Sequence, residues 1–193
     1  MRVSRKRFAL LLIPLAVPGA GAAIAVRALQ QVGVHQGYAP EQPIAFSHKL
    51  HAGESKIACL YCHSAATRSR HAGIPPLNVC MNCHSMLRKQ TRDIERLKES
   101  VQQARAIAWT KVHSIPDFVY FNHSQHVLAK VECRACHGAV ETMERVRQEA
   151  PLTMGWCIDC HRRSTAALAA APHGPGHSLA GAGPSVDCGR CHY

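Results

Sequence analysis

Large side chains are scarce in this sequence. Of 193 residues only four are Phe, four Tyr and two Trp. Beyond the first 30 residues Leu, Ile, Val and Phe are thinly spread. A chain so short of bulk cannot fill an ordinary core from its own side chains. That argues against a plain globular enzyme and for an interior supplied by a bound cofactor or by cross-links. Acidic residues are also short, with 12 Asp and Glu against 23 Lys and Arg, a net charge of +11 with neutral His. Such an excess suits a nucleic acid, an anionic membrane surface or an acidic partner. It equally suits a cofactor that brings its own negative charge. No alternation of apolar and polar residues marks a strand, and no βαβ pattern is present. Nor is any cysteine left without a partner motif.

All ten cysteines fall in five Cys-x-x-Cys pairs: Cys59 and Cys62, Cys80 and Cys83, Cys133 and Cys136, Cys157 and Cys160, Cys188 and Cys191. Each pair is followed at once by histidine, at His63, His84, His137, His161 and His192. Cys-x-x-Cys-His is the attachment site of c-type haem. Two thiols add across the two vinyl groups of the porphyrin, and the adjacent histidine reaches the iron as its proximal ligand. Disulfides and zinc ribbons use paired cysteines too, but neither demands a histidine in the next position. With 14 His in 193 residues, five such matches by chance have a probability of roughly two in a million. Thioredoxin-like pairs come singly and inside a βαβ unit. The motifs therefore predict five covalently bound haem c groups, each with iron. The macrocycles supply the missing core, and their propionates offset the basic excess, which removes the main support for nucleic-acid binding.

At the N-terminus Arg2, Arg5, Lys6 and Arg7 precede 19 uncharged residues, Phe8 to Val26, closed by Arg27. A positive segment before an apolar one is an export signal, with the positive end left in the cytoplasm. Its length approaches that of a spanning helix, which predicts a retained anchor. Ala20 to Ala25 offer small-residue cleavage sites, and Pro14 and Pro18 would kink a helix.

The first cysteines of successive motifs lie 21, 53, 24 and 31 residues apart. This predicts a transmembrane segment over 1–27, a module for haems 1 and 2 over 28–90 and a helical spacer over 91–112. A module for haems 3 and 4 follows over 113–165, and a haem 5 segment over 166–193. In the spacer Ile94, Leu97, Val101, Ala104 and Ala108 recur at helical period. The expected class is mainly α with extensive irregular loops, a small multihaem cytochrome c built around five haems. Residues 172–187, rich in Gly, Ala, Ser and Pro, are expected to form a loop.

Five irons accept five further ligands. His48 and His51 are spaced H-x-x-H eight residues before Cys59, and His123 and His126 repeat that spacing seven residues before Cys133. The preceding residues also correspond, Ala45-Phe46-Ser47 with Tyr120-Phe121-Asn122, an internal repeat of two related modules. Two histidines three apart on a helical turn share a side, so one serves the following haem and the other the next. The pairing predicted is His48 with haem 1, His51 with haem 2, His123 with haem 3 and His126 with haem 4. His71, His113, Met143 and Met154 are the candidates for the fifth distal place. His35, His173 and His177 are expected to be surface or loop residues.

The H-x-x-H plus Cys-x-x-Cys-His arrangement is similar to the class III multihaem cytochromes. A closer likeness lies in Gly37 to His51, His71-Ala72-Gly73-Ile74-Pro75, Trp109 to His126, and Pro151-Leu152-Thr153-Met154-Gly155-Trp156-Cys157. Together these resemble the pentahaem subunit of alternative complex III, the bacterial quinol:cytochrome c oxidoreductase. The likeness covers about residues 37–165. It implies an electron-transfer subunit rather than a catalyst on its own, held by its N-terminal helix to the bacterial inner membrane with the haem domain on the periplasmic side. It also implies partners: an iron–sulfur protein subunit, polytopic quinol-oxidising membrane subunits, and a monohaem cytochrome c or oxidase as acceptor. The rival function is a periplasmic pentahaem shuttle serving a nitrite- or sulfoxide-type reductase. A multihaem catalyst would need an open iron, and no Cys-x-x-Cys-Lys motif occurs.

Overall fold

Short helices and single helical turns make up the regular structure of the described residues. The structure, a computed structural model, describes residues 19–87, 91–170 and 184–192. Among them every regular element is helical and no strand occurs. The chain divides into two parts, residues 1–34 and 35–193. In the first, residues 19–30 form a helix, α1, followed by a turn. The expected spanning helix over Phe8 to Val26 falls mostly on residues 1–18, outside the described part. Among the described residues no helix is long and apolar enough to cross a membrane.

The second part contains helices α2 (Leu77–His84), α3 (Arg92–Gln102), α4 (His123–Leu128) and α5 (Met154–Ala170). Motif 2 lies on α2 and motif 4 on the first half of α5. Motifs 1 and 3 lie on single helical turns, Cys59–Cys62 and Arg134–His137, and motif 5 lies on the turn Cys188–Arg190. A helical turn sets residues three apart on one side, which presents the two thiols of a motif together.

The spacer helix is shorter than its alanines suggested. Thr91 caps it, its Oγ1 accepting the Ile94 N–H at 3.3 Å, and Asp93 and Glu95 in the first turn complement the helix dipole. Leu97 is buried and α3 packs against α2. Ile94, Leu97 and Val101 form the expected stripe, but Ala104 takes a left-handed φ of 48°. The Ala104 N–H then meets the Val101 carbonyl at 3.1 Å and the Arg105 N–H meets the Ser100 carbonyl at 2.8 Å. That is a Schellman ending, with alanine where glycine is usual. Ala108 therefore lies beyond the helix.

The two H-x-x-H turns are exchanged between modules. The turn Lys49–Glu54 packs on the segment after motif 3, Val140–Thr142, and α4 packs on the segment after motif 1, Ser64–Thr67. The Lys49 N–H donates to the Met143 carbonyl at 3.0 Å, and the Ser47 hydroxyl to Glu144 at 2.6 Å. In return the His123 and Ser124 N–H groups both donate at 3.2 Å, to the carbonyls of Arg70 and Ser69. Gly53 sits at the first crossing, where a Cβ would run into the Glu141 carbonyl oxygen. Gln148, whose side chain has 0% exposure, ties three loops. Its Oε1 accepts the Ser114 N–H at 2.9 Å and its Nε2 donates to the Ala150 carbonyl at 3.1 Å. Its backbone bonds both Gly37 and Tyr38.

Candidate functional site

The two H-x-x-H turns are near-copies. Phe46 meets His48 edge-on at 4.8 Å and stacks on His51 at 4.3 Å. Phe121 meets His123 edge-on at 4.8 Å and tilts over His126 at 4.5 Å. The second histidine of each turn donates its Nδ1–H at 2.8 Å to the carbonyl four residues back, Ser47 or Asn122. Lys56 and Lys130 close the two turns at matching left-handed φ values of 55° and 58°. The first turn carries one more residue than the second and absorbs it as a wide π-type turn, with Ser55 N–H on the Leu50 carbonyl.

Each of the four histidines is brought to the motif histidine assigned to it from the sequence. His48 and His63 lie 6.5 Å apart between ring centres with planes 2° from parallel, and His123 and His137 6.3 Å apart at 10°. His51 and His84 stand 6.1 Å apart at 51°, and His126 and His161 6.1 Å apart at 38°. Two imidazole nitrogens on one metal ion, each bond about 2 Å, put the ring centres roughly 6 Å apart. No two of these rings are close enough to touch face to face. The four ring-centre spacings match that of two imidazoles sharing one metal ion.

Histidine 192 differs. Its ring lies against Phe118 at 5.7 Å, its Nδ1–H donates to the Phe118 carbonyl at 3.1 Å, and no histidine ring faces it among the described residues. Of the four candidates for its distal partner, His71 is exposed. His113 instead touches His137. Met143 is buried beside the Lys49–Glu54 turn, and Met154 is 68% exposed at the start of α5. His173 and His177 lie outside the described residues.

Burial favours the neutral form of five of the imidazoles. The pKa of His48 and that of His137 are both pushed down to about 4, chiefly by desolvation and then by neighbouring histidines. His84, His113 and His126 are lowered too, again mainly by burial. A neutral imidazole is the form that ligates a metal.

The thiols reveal an order in space. No disulfide joins any two of the ten cysteines. Burial raises the Cys62 and Cys80 thiols, and each is raised further across motifs, Cys62 by Cys83 and Cys80 by Cys62. Cys133 is raised by burial and then by Cys59, to which it hydrogen-bonds. Cys136 is raised by burial, then by Cys160 and Cys157, and Cys157 by burial, then by Cys191. The motifs thus succeed one another as 2, 1, 3, 4, 5, and the Cys59–Cys133 contact lies between the two repeated modules.

These residues fit haem c. Among the described residues no three His, Cys, Asp or Glu groups converge on one point. Imidazoles come in twos, which is what remains to be supplied once a porphyrin fills an iron's four equatorial positions. The Nδ1 atoms of His48 and His84 are buried without a partner, so no hydrogen bond at Nδ1 fixes the tautomer of these two rings. The described apolar core is limited to Ala66, Leu97, Met143 and Ala150, while Leu60 and Tyr61, inside motif 1, stay exposed. A flat apolar macrocycle would cover such surfaces.

Comparison with known proteins supports the same group. The family model for cytochrome c7 and related cytochrome c matches residues 119–193. Over that stretch, well under half of its length, the chain is similar to this family. The matched stretch holds motifs 3, 4 and 5 together with the second H-x-x-H turn. The multihaem cytochrome c subunit of the menaquinone reductase of Nitratidesulfovibrio vulgaris is 35% identical over 98 residues, 50% of this chain and 46% of that protein. The chain thus spans about half the length of the curated relative it matches.

Two features escaped the sequence. The equivalence of Phe46 and Phe121 was visible as a repeat, but not their stacking on the histidines. The contact of His113 with His137 left no local signal, since the two lie 24 residues apart.

Proposed function

We propose that this chain is a pentahaem cytochrome c that relays electrons within a membrane-bound quinol:cytochrome c oxidoreductase complex, as in alternative complex III. The observation that carries it is the unbroken succession of thiol pairs, 2–1–3–4–5, with an imidazole pair at four of the five motifs. Haem c, when bound, supplies a one-electron iron couple whose potential follows its axial ligands and surroundings. The chain's residues do the rest. Cysteines at 59 and 62, 80 and 83, 133 and 136, 157 and 160, and 188 and 191 fix the macrocycles. His63, His84, His137, His161 and His192 are the proximal ligands, and His48, His51, His123 and His126 the distal ones. Carbonyls facing Nδ1 hold most of these rings in the tautomer that frees Nε2. Histidine on both sides keeps potentials low, since methionine is the ligand that raises them. That suits exchange with a low-potential quinone.

In this proposal the N-terminal segment anchors the chain in the bacterial inner membrane, with the haem domain on the periplasmic side. Its neighbours are an iron–sulfur subunit and polytopic quinol-oxidising subunits, and a monohaem cytochrome c or oxidase takes the electrons. The name of the relative favours a second reading, in which the same wire runs toward menaquinone and reduces it. Purification from native membranes in mild detergent decides between them. Co-purifying iron–sulfur and polytopic subunits with quinol:cytochrome c reductase activity support the first reading, and menaquinone reduction without it supports the second. A chain that emerges alone and inactive with either quinone form overturns both in favour of a periplasmic shuttle.

A further inference from the structure

We propose that His113 is a positioning residue for motif 3: its Nε2 accepts the Nδ1–H of His137 and so sets how strongly His137 donates to iron. The inference rests on the haem reading above, because it concerns what His137 presents to a metal.

At motif 2 His84 Nδ1 is buried without a partner, while at motifs 1, 4 and 5 the motif histidine turns Nδ1 toward a backbone carbonyl. His63 does so to Gly73 at 2.7 Å, His161 to Ser185 at 2.7 Å and His192 to Phe118 at 3.1 Å. His137 has a side chain there instead. Its Nδ1 lies 3.1 Å from His113 Nε2, with ring centres 4.4 Å apart and planes at 81°. Only one ring of the two can place a proton between them. A metal shared with His123 takes His137 Nε2, which leaves the proton on His137 Nδ1 and makes His113 the acceptor. An imidazole nitrogen is far more basic than an amide oxygen. It therefore draws the shared proton further and leaves more electron density on the His137 ring. A more basic axial ligand stabilises ferric iron and lowers the potential at that motif.

The placement is built, not incidental. The Ser114 N–H, next along the chain from His113, donates to Gln148 Oε1 at 2.9 Å. Gln148 is fully buried and spends its Nε2 on the Ala150 carbonyl at 3.1 Å. A buried amide costs stability unless its bonds are made. Here those bonds immobilise the residue beside His113. Motif 3 also occupies the middle of the thiol succession, where a lowered potential would bear on traffic from both sides.

The test uses the full-length haem-loaded protein and two variants, His113→Phe and His113→Gln. Spectropotentiometric titration should show one of the five midpoint potentials raised in His113→Phe, the other four unmoved. The Gln oxygen can accept the same hydrogen bond but is the weaker base, so His113→Gln should recover only part of the shift. Five unmoved potentials overturn the inference, as does an equal shift in both variants. If His113→Phe does not accumulate, the wild-type protein answers. Labelled with 15N-histidine and reduced, it should show coupling across one N–H···N bond between two histidines, and absence of that coupling overturns the inference. A pyridine haemochrome assay on each sample separates the two levels. Five haems with unmoved potentials reject only the role of His113, whereas three or fewer reject the haem reading on which it stands.

Discussion

Replacing Gly53 by alanine tests whether the two modules really lock through their exchanged turns. The added Cβ meets the Glu141 carbonyl oxygen and lies 3.3 Å from its carbonyl carbon, all of it backbone that cannot swing aside. Overpacking of this kind costs about 1–3 kcal/mol. The displaced turn also loses the 3.0 Å bond from Lys49 N–H to the Met143 carbonyl, worth about 1 kcal/mol. The exposed Lys49–Glu144 ion pair adds little. The sum is about 2–4 kcal/mol. At a urea dependence of about 2 kcal/mol per molar, the unfolding midpoint should fall by about 1–2 M. His48 directly precedes Lys49, so the same shift should loosen the His48–His63 pair and bring a high-spin signal into the EPR spectrum. Gly155→Ala is the control. Nothing lies within 4 Å of a Cβ there, and a helical Gly-to-Ala change gains up to about 1 kcal/mol. A Gly53→Ala protein with the wild-type midpoint and spectrum would refute the exchanged packing.

Replacing His48, His51, His123 or His126 singly by alanine should convert one low-spin haem to high-spin by EPR, and an unchanged spectrum rejects that residue as a ligand. Acid should destabilise the fold in a defined window. Burial depresses the pKa of His48 and that of His137 to about 4, so between about pH 6.5 and pH 4 the unfolded chain binds protons that the folded chain refuses. The contribution of these two groups is full above that window and is lost as pH falls through it, so a urea midpoint constant from pH 7 to pH 4 contradicts the burial. Ala104→Gly should raise stability by about 1 kcal/mol, because alanine pays for a left-handed φ that glycine adopts freely. A lower unfolding midpoint in that variant would count against the Schellman ending of α3.

The motif logic of this protein is local, and local logic is written in spacing. Cys-x-x-Cys-His places two thiols and an imidazole on or beside one helical turn at each of its five occurrences, so these clusters follow from the sequence without knowledge of the fold. The H-x-x-H turns are equally local. Their one-residue difference in distance to the next motif even accounts for the wide turn at Lys49–Glu54. The spacer helix was half legible, because alanines at helical period cannot reveal that one of them, Ala104, ends the helix in a left-handed conformation.

Contacts between distant residues had no such trace. The H-x-x-H turn of each module packs on the other module's chain, and the His123–Arg70 bond joins residues 53 apart. The thiol succession 2–1–3–4–5 departs from chain order because Cys133 meets Cys59 across the modules, not its sequence neighbour at motif 2. His113 comes to His137 through a loop held by a buried glutamine, a matter of three-dimensional packing. By itself the sequence determined where the five Cys-x-x-Cys-His turns lie and which histidines repeat beside them. Only the tertiary structure decided which site adjoins which and what each histidine leans on, because those properties arise where separate segments meet and no spacing along the chain encodes them.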